Sequence, residues 1–332
     1  MDLYEIMKSI EKALGDKRMC EYGLNFKKFG GHWVLLGTVD TFESLKRVND
    51  IVSTMSGSVE NEVHTLEEKI PKLAEWAVCI SSVCDIRREA KFRSERIHQL
   101  IFGECAKTLD FKNEYVLIKD HRTSFVGWAR ASQFTFTDKV SIHKWKTSKS
   151  EVVVDERFSK SYFDGDVVYL PFGTKVPAIE KENFWESVIP NGHTLRIPRQ
   201  DASYVSEKNF EDLKGVWSNF LGTPYLWGGA SAYGYDCSGY VGRLYDYIGI
   251  KIPRDADLQR NATTEIKENE LNFGDLIFFP GHVAMYVGNG EIVHSNLTQS
   301  GVARSQLLSP TNSYEKWLKE HVMKFGRVNN GR

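Results

Sequence analysis

The chain has no run of apolar residues approaching the roughly 20 that a membrane span takes, so a transmembrane helix is not expected. It also lacks an excess of either charge. Its 43 Lys and Arg stand against 44 Asp and Glu, a formal net charge of −1, and no global field directs it to nucleic acid or an anionic membrane. The opening stretch MDLYEIMKSIEKALGDK mixes Glu, Lys and Asp among its apolar residues. That is an amphipathic helix pattern, not a basic segment followed by an apolar one, so no secretory signal is read and the expectation is cytoplasmic, or periplasmic or secreted if a signal has been removed. Cysteine is scarce: Cys20, Cys79, Cys84, Cys105 and Cys237. An odd count over so long a chain argues against a disulfide framework. Cys79 and Cys84 have no second Cys pair of the kind a zinc knuckle needs, so no metal is expected.

What is present is ordinary for a globular protein, 41% hydrophobic and 26% charged residues. At 332 residues the chain is too long for one core, and several domains are expected. Residues 1–70 read as a small α+β unit. A helix over 3–14 is followed by the strand HWVLLGTVD with a turn at Gly37. A helix over TFESLKRVNDIVSTM comes next, capped by Thr41, with Phe42, Leu45, Val48 and Val52 at helical spacing. GSVENEVHTLE returns as a strand. The L-x-G-T-V-D strand, the helix and the returning G-S-V resemble a BON domain, a class associated with envelope or lipid contacts; a packing or dimerisation appendage is the plainer reading.

From Trp76 the pattern changes to short β-runs broken by turns, WAVCISSVC, HQLIFGECAKTLD, YVLIKD and FVGWARASQF, which suggests a small barrel. DIRREAKFRSERIHQLIFGE followed by FVGWARASQF resembles a bacterial SH3 (SH3b) domain over 75–138. A second stretch, 148–203, repeats the rhythm and reads as a more divergent one. Residues 207–330 order their elements differently: an amphipathic helix in NFEDLKGVWSNFLG, a Gly- and aromatic-rich loop, a second helix from Cys237, and the strands GDLIFF, HVAMYVG and EIVHS. A helix-then-antiparallel-sheet order indicates an α+β domain.

The chemistry concentrates there. Cys237 stands where a glycine-rich loop becomes a helix, so unpaired N–H groups and the positive dipole end would favour a thiolate. Asp236 takes the N-cap position, and Gly239 permits close approach of another segment or substrate. Two histidines, His282 and His294, lie on runs joined by Gly-Asn-Gly. They share a face only if the register parity is even, which predicts a hairpin loop of odd length. His282 is then the base for the cysteine and His294 the group that orients its ring.

PYLWGGASAYGYDCSGYV, IPRDADLQ, FGDLIFF and GHVAMYVGNGEIVHSN together resemble the NlpC/P60 family of papain-like cysteine peptidases over 207–330. The resemblance implies a multidomain architecture: a small α+β unit, two SH3-like barrels and a papain-like α+β catalytic domain. It implies the triad Cys237, His282 and His294, no metal or organic cofactor, and cleavage of peptidoglycan stem peptides between D-Glu, linked through its γ-carboxyl, and a diamino acid. With SH3b domains ahead of it, the arrangement is similar to muropeptide-recycling γ-D-glutamyl-L-diamino acid endopeptidases, which demand a free N-terminal L-Ala. By that likeness Asp236 would bind the substrate amine, with Asp85 or Glu89 and Tyr115 contributed from the first barrel. Ser238 would donate to the D-Glu carboxylate, Tyr225 would serve the oxyanion and Trp227 would line the cleft. Ala256 stands where relatives often carry serine, a contact Arg254 could supply, and Phe125 replaces a tyrosine. Envelope-acting wall hydrolysis, amidase or acyltransferase chemistry on the same core, and non-catalytic binding are the alternatives.

Overall fold

The computed structural model describes residues 2–54 and 59–329. The first helix, Leu3–Leu14, is capped by Asp2, whose carboxylate accepts from the Tyr4 and Glu5 amides, and it buries Ile10 and Leu14. It packs on a three-stranded sheet whose central strand is His32–Val39, antiparallel to Tyr22–Phe29 and parallel to Val59–Thr65. The helix Phe42–Val52, capped by Thr41, makes the crossover between the parallel pair. Gly37 is not a turn, contrary to the sequence reading. It lies mid-strand at φ 132°, and a Cβ there would sit 2.0 Å from the Gly23 carbonyl oxygen of the neighbouring strand. Met55 of the expected helix and Gly57 and Ser58 of the expected returning strand lie outside the described residues.

Seven antiparallel strands between Trp76 and Thr137 form one sheet, ordered Phe134–Thr137, Trp76–Cys79, Cys105–Lys112, Tyr115–Asp120, Val126–Arg130, Val83–Arg87, Arg96–Ile101. A helix that sequence reasoning did not anticipate, Lys139–Thr147, follows under an Asp138 cap. Its Ile142 and Trp145 pack with Val78 of the seven-stranded sheet, Phe102 of the turn that follows Arg96–Ile101, and Val152, Leu170 and Trp185 from the strands beyond. Those strands, Glu151 to Tyr204, form a three-stranded and a five-stranded sheet. The core shared through Trp145 makes residues 139–147 a packed joint, not a linker.

The C-terminal unit begins with Phe210–Val216, which continues as a 3₁₀ turn over Trp217–Phe220. The helix Cys237–Tyr247 is buried along its whole length. It lies on a six-stranded antiparallel sheet ordered Thr263–Ile266, Lys324–Val328, Leu276–Phe279, His282–Gly288, Glu291–Asn296, Gly301–Gln306. Its core takes in Val153 and Phe172 from the preceding strands, Phe172 stacking near Phe220 and Tyr247 with centroids 4.8 and 4.6 Å apart. No helix among the described residues is long and apolar enough to cross a membrane.

Candidate active site

The two histidines meet by a route the sequence reading did not foresee. The hairpin closes on a two-residue turn, Asn289-Gly290, both at positive φ (54° and 77°), the geometry that suits the twist of the flanking strands. An even-length turn alone would put the rings on opposite faces. The register shifts between Tyr286 and Gly288, however, and the extra residue, Val287, restores even parity from Tyr286↔Ile292 onward. His282 and His294 therefore share a face, and His282 Nε2 lies 2.8 Å from His294 Nδ1. His294 is fully buried; its Nε2 is 3.1 Å from Ser305 Oγ, which donates onward to Gln299 Oε1. One tautomer set satisfies both contacts. His294 carries its proton on Nε2 and donates to Ser305, while His282 carries its proton on Nε2 and donates to His294, leaving His282 Nδ1 an open base.

Cys237 is the first residue of its helix, and His282 lines the same cavity, about 730 Å³ in volume. Asp236 is the N-cap as expected, accepting from the Gly239 amide at 2.6 Å. Burial works against the expected thiolate. Burial is the leading influence on the sulfur and pushes the thiol up to about 12; the Asp236 charge adds to the rise, and the Val283 and Ser238 amides and Arg254 oppose it only in part. Burial likewise holds His282 down at about 4 and His294 at about 3. A helix end contributes about 0.3–1 kcal/mol when exposed and up to about 2 when partly buried, less than the cost of an anion with 8% residual exposure. Burial therefore favours the neutral forms of both groups, and the sulfur still reaches the cavity.

Asp236, expected to meet the substrate's amine, lines the cavity beside Cys237; it also pairs with Arg254, expected to meet the carboxylate. Arg254 Nη2 and Nη1 donate to the two Asp236 oxygens at 2.6 and 3.0 Å. The Gly228 amide donates to the second oxygen at 3.0 Å. The rest of the guanidinium goes to Ser238 Oγ (2.9 Å) and His98 Nδ1 (2.8 Å). Arg254 is 3% exposed and lies behind the cavity, not on its wall. Ser238 does line the cavity, with its hydroxyl shared between Arg254 and Asp236. Tyr225 lines it too; burial, with the nearby Cys237 and Asp236, pushes its phenol up to about 12, so it is a neutral donor. Gly239 does what its position suggested: a Cβ there would fall 2.1 Å from the Gly229 carbonyl oxygen, so the loop can lie directly on the helix.

The three residues expected from the first barrel are absent from the cavity wall. Asp85 is held by Arg96 (2.7 Å), Arg87 (2.8 Å) and Gln99 (3.0 Å), and Gln99 in turn accepts from Ala230 and Ser231, so the group fastens the seven-stranded sheet to the C-terminal unit. Glu89 is exposed and paired with Lys91. Tyr115 is buried under Arg130. The segment that carries the seven-stranded sheet contributes Arg88, Glu95, Ile97, Phe125 and Val126 instead. Glu95 accepts from Trp227 Nε1 at 2.9 Å and from Arg88 at 2.8 Å, and these contacts hold its carboxyl below the usual range. Sequence reasoning missed Glu95, although it lies inside the quoted SH3b-like segment. It also missed Lys17, Arg18 and Glu21 of the first unit, which line the cavity beside Asp255, Ala256 and Asp257.

A model described as the NlpC/P60 family matches residues 222–326. A Bacillus subtilis protein named gamma-D-glutamyl-L-lysine dipeptidyl-peptidase is 31% identical over 241 residues, covering 66% of this chain and 78% of that relative. A Bacillus cereus protein of the same name is 27% identical over 238 residues, 64% of this chain and 71% of the relative. A solved NlpC/P60 family protein from Bacillus cereus shares the fold at TM-score 0.66 and 22% identity, covering 76% of this chain and 99% of that one.

Proposed function

This chain belongs to the NlpC/P60 family and is a cysteine-type peptidase; from that premise we propose that it hydrolyses the γ-D-glutamyl–diamino acid bond of peptidoglycan-derived stem peptides that carry a free N-terminal L-Ala, in murein peptide recycling. The observation that carries the reading is the coupled histidine pair, joined at 2.8 Å, with its first ring on the same cavity as Cys237. In this reading the strands from Trp76 to Tyr204 are two SH3b domains and residues 1–70 a BON-like unit.

Because burial favours the neutral thiol and imidazole, proton transfer accompanies the attack. As the sulfur attacks the γ-carbonyl of D-Glu, its proton passes to His282 Nδ1, so the anion forms only as the new C–S bond disperses it. His294 accepts from the resulting imidazolium at Nδ1 and lowers its energy, with Ser305 and Gln299 fixing that ring. Tyr225 donates to the tetrahedral oxyanion. His282 then protonates the departing amine of the diamino acid, the C–N bond breaks, and water hydrolyses the thioester with the same imidazole as base. Asp236 and Glu95 both border the cavity; Glu95 is the acid assigned to the substrate ammonium, because its partner Arg88 is an exposed side chain that can yield to a ligand, whereas Arg254 is buried against Asp236.

Synthetic L-Ala-γ-D-Glu-L-Lys and its meso-diaminopimelate counterpart test the proposal, with products identified by mass spectrometry. L-Ala-γ-D-Glu and the free diamino acid are expected, Cys237→Ala abolishes them, and acetylation of the N-terminal amine suppresses turnover by about two orders of magnitude, as expected where a site's charged group loses its partner. Cleavage of another bond refutes the reaction. Purified sacculi cut as efficiently as the free peptides refute the recycling role.

A further inference from the structure

Arg18 belongs to the first unit, yet it reaches the loop and helix beside the nucleophile. Its Nη1 donates to Asp255 Oδ2 at 2.7 Å and to Asp257 Oδ1 at 2.9 Å, and its Nη2 donates to Asp257 Oδ2 at 2.8 Å. Nε and Nη2 also donate to Asp16, which fixes the guanidinium at the tip of its own turn. All five N–H donors of the group are thereby directed at carboxylates. Asp255 is the N-cap residue of the helix Ala256–Asn261 and follows Arg254, the partner of Asp236. That helix packs against both the Cys237 helix and the His282 strand.

The first unit is anchored independently to the first barrel. The Val126 amide donates to the Arg18 carbonyl at 2.8 Å. Lys119 Nζ donates to the buried Asp40 at 2.7 Å, Glu67 pairs with Lys107, and Leu66 packs on Leu109, Leu117 and Val126. The unit is therefore set against one component and latched to the other, with the cavity between them lined by Lys17, Arg18 and Glu21 on its side.

We infer that residues 16–21 are a fixed wall of the substrate site, and that Arg18 is a positioning and specificity-determining residue which closes the cavity to anything larger than a free tripeptide. The cavity volume of about 730 Å³ falls in the range of roughly 300–1,000 Å³ typical of small-ligand sites. The specificity half of this inference rests on the peptidase reading above; the closure half does not. Arg18 touches no reacting atom. It acts by bracing Asp255 and Asp257, whose like charges would separate without it.

Two measurements on the full chain keep those halves apart. The first needs no substrate. Cys237 is alkylated with iodoacetamide and, separately, with a bulky fluorescent maleimide, and its labelling is followed by peptide mass mapping. Arg18→Ala should raise the bulky-to-small rate ratio about tenfold, a shift worth ~1.4 kcal/mol. Arg18→Lys should fall between wild type and Arg18→Ala. The second compares kcat/KM for the tripeptide with that for the same peptide bearing a muramyl group on its amine or D-Ala-D-Ala at its end. Arg18→Ala should raise the extended-to-free ratio at least about tenfold for one of them. A lower melting temperature with both ratios unchanged overturns the inference and leaves Arg18 a structural residue. Failure of the wild-type protein to cut the tripeptide overturns the function reading, while the alkylation ratio still decides the wall.

Discussion

Arg254→Met tests whether the Asp236–Arg254 pair is what holds the head of the nucleophile helix. Both partners are buried, Arg254 at 3% and Asp236 at 8% exposure, and they are joined by two hydrogen bonds of 2.6 and 3.0 Å. Removing the arginine leaves a carboxylate in the interior with only the Gly239 and Gly228 amides and the Ser238 hydroxyl to satisfy it. Breaking a buried pair in this way costs about 3–5 kcal/mol, because a charge stays behind unpaired. Asp236→Asn alone should cost a similar amount, since it strands the guanidinium on His98 and Ser238. The double variant holds no buried charge and should lose only the weakened cap and some packing, about 1–3 kcal/mol. The singles then sum to about 6–10 kcal/mol against a double far below that, a coupling of at least about 3 kcal/mol. Urea unfolding followed by tryptophan fluorescence on all four proteins measures it, provided the denaturant slope is the same in each. A double variant equal to the sum of the singles within about 0.5 kcal/mol refutes the pairing argument. Turnover should fall in all three variants, because Ser238 and Gly239 share the first turn with Cys237.

Three further outcomes follow from the same geometry. Tyr225→Phe should lower kcat about 10²–10³-fold with little change in KM, the effect of deleting one oxyanion donor; a change confined to KM would make the phenol a binding group. His294→Gln should lower kcat by up to about 10⁴-fold while Cys237 stays alkylatable, as expected when the group orienting the base is lost; retention of full kcat would show that His282 works alone. Because burial depresses His282 to about 4 and His294 to about 3 from near 6.5, the unfolded chain binds more protons across that interval. The stabilisation from keeping these rings neutral is complete above pH 6.5 and is lost as pH falls toward 4. Its slope approaches ~2.7 kcal/mol per pH unit where both rings contribute. Chemical denaturation from pH 7 to 4.5 on the wild type and on His282→Gln/His294→Gln isolates it, and identical slopes in the two proteins would refute the assignment.

Local signals were readable wherever local forces decide. The helix Leu3–Leu14 came from the spacing of its apolar residues, and Thr41 marked the start of Phe42–Val52 because a side-chain oxygen before a periodic run satisfies an orphan amide. The strand Tyr22–Phe29 escaped because its outward residues leave no apolar run, and the burial that identifies it comes from the helix packed above. The histidine pairing shows the intermediate case. Sharing one face was deducible from parity, but the sequence carries no mark for a bulge at Val287, so the odd step was assigned to the loop instead of the strand.

The site divides along the same line. Cys237, His282, Tyr225, Trp227 and Ser238 sit within motifs whose local geometry aims them, and each reaches the cavity. The cavity-lining acid Glu95 escaped, because Trp227 and Glu95 are 132 positions apart and only docking decides which residue of the seven-stranded segment faces inward. Arg18 and Asp255, 237 positions apart, are beyond any local pattern. The protonation state of Cys237 belongs to this second class. The helix end and the cap that favour a thiolate are visible in Asp236-Cys237-Ser238-Gly239, but the desolvation that outweighs them is a property of the assembled wall. The same desolvation has an electrostatic counterpart: an anion at Cys237 would lie beside Asp236 and repel the carboxylate that caps its own helix, so the cap that aims the sulfur also disfavours its charge.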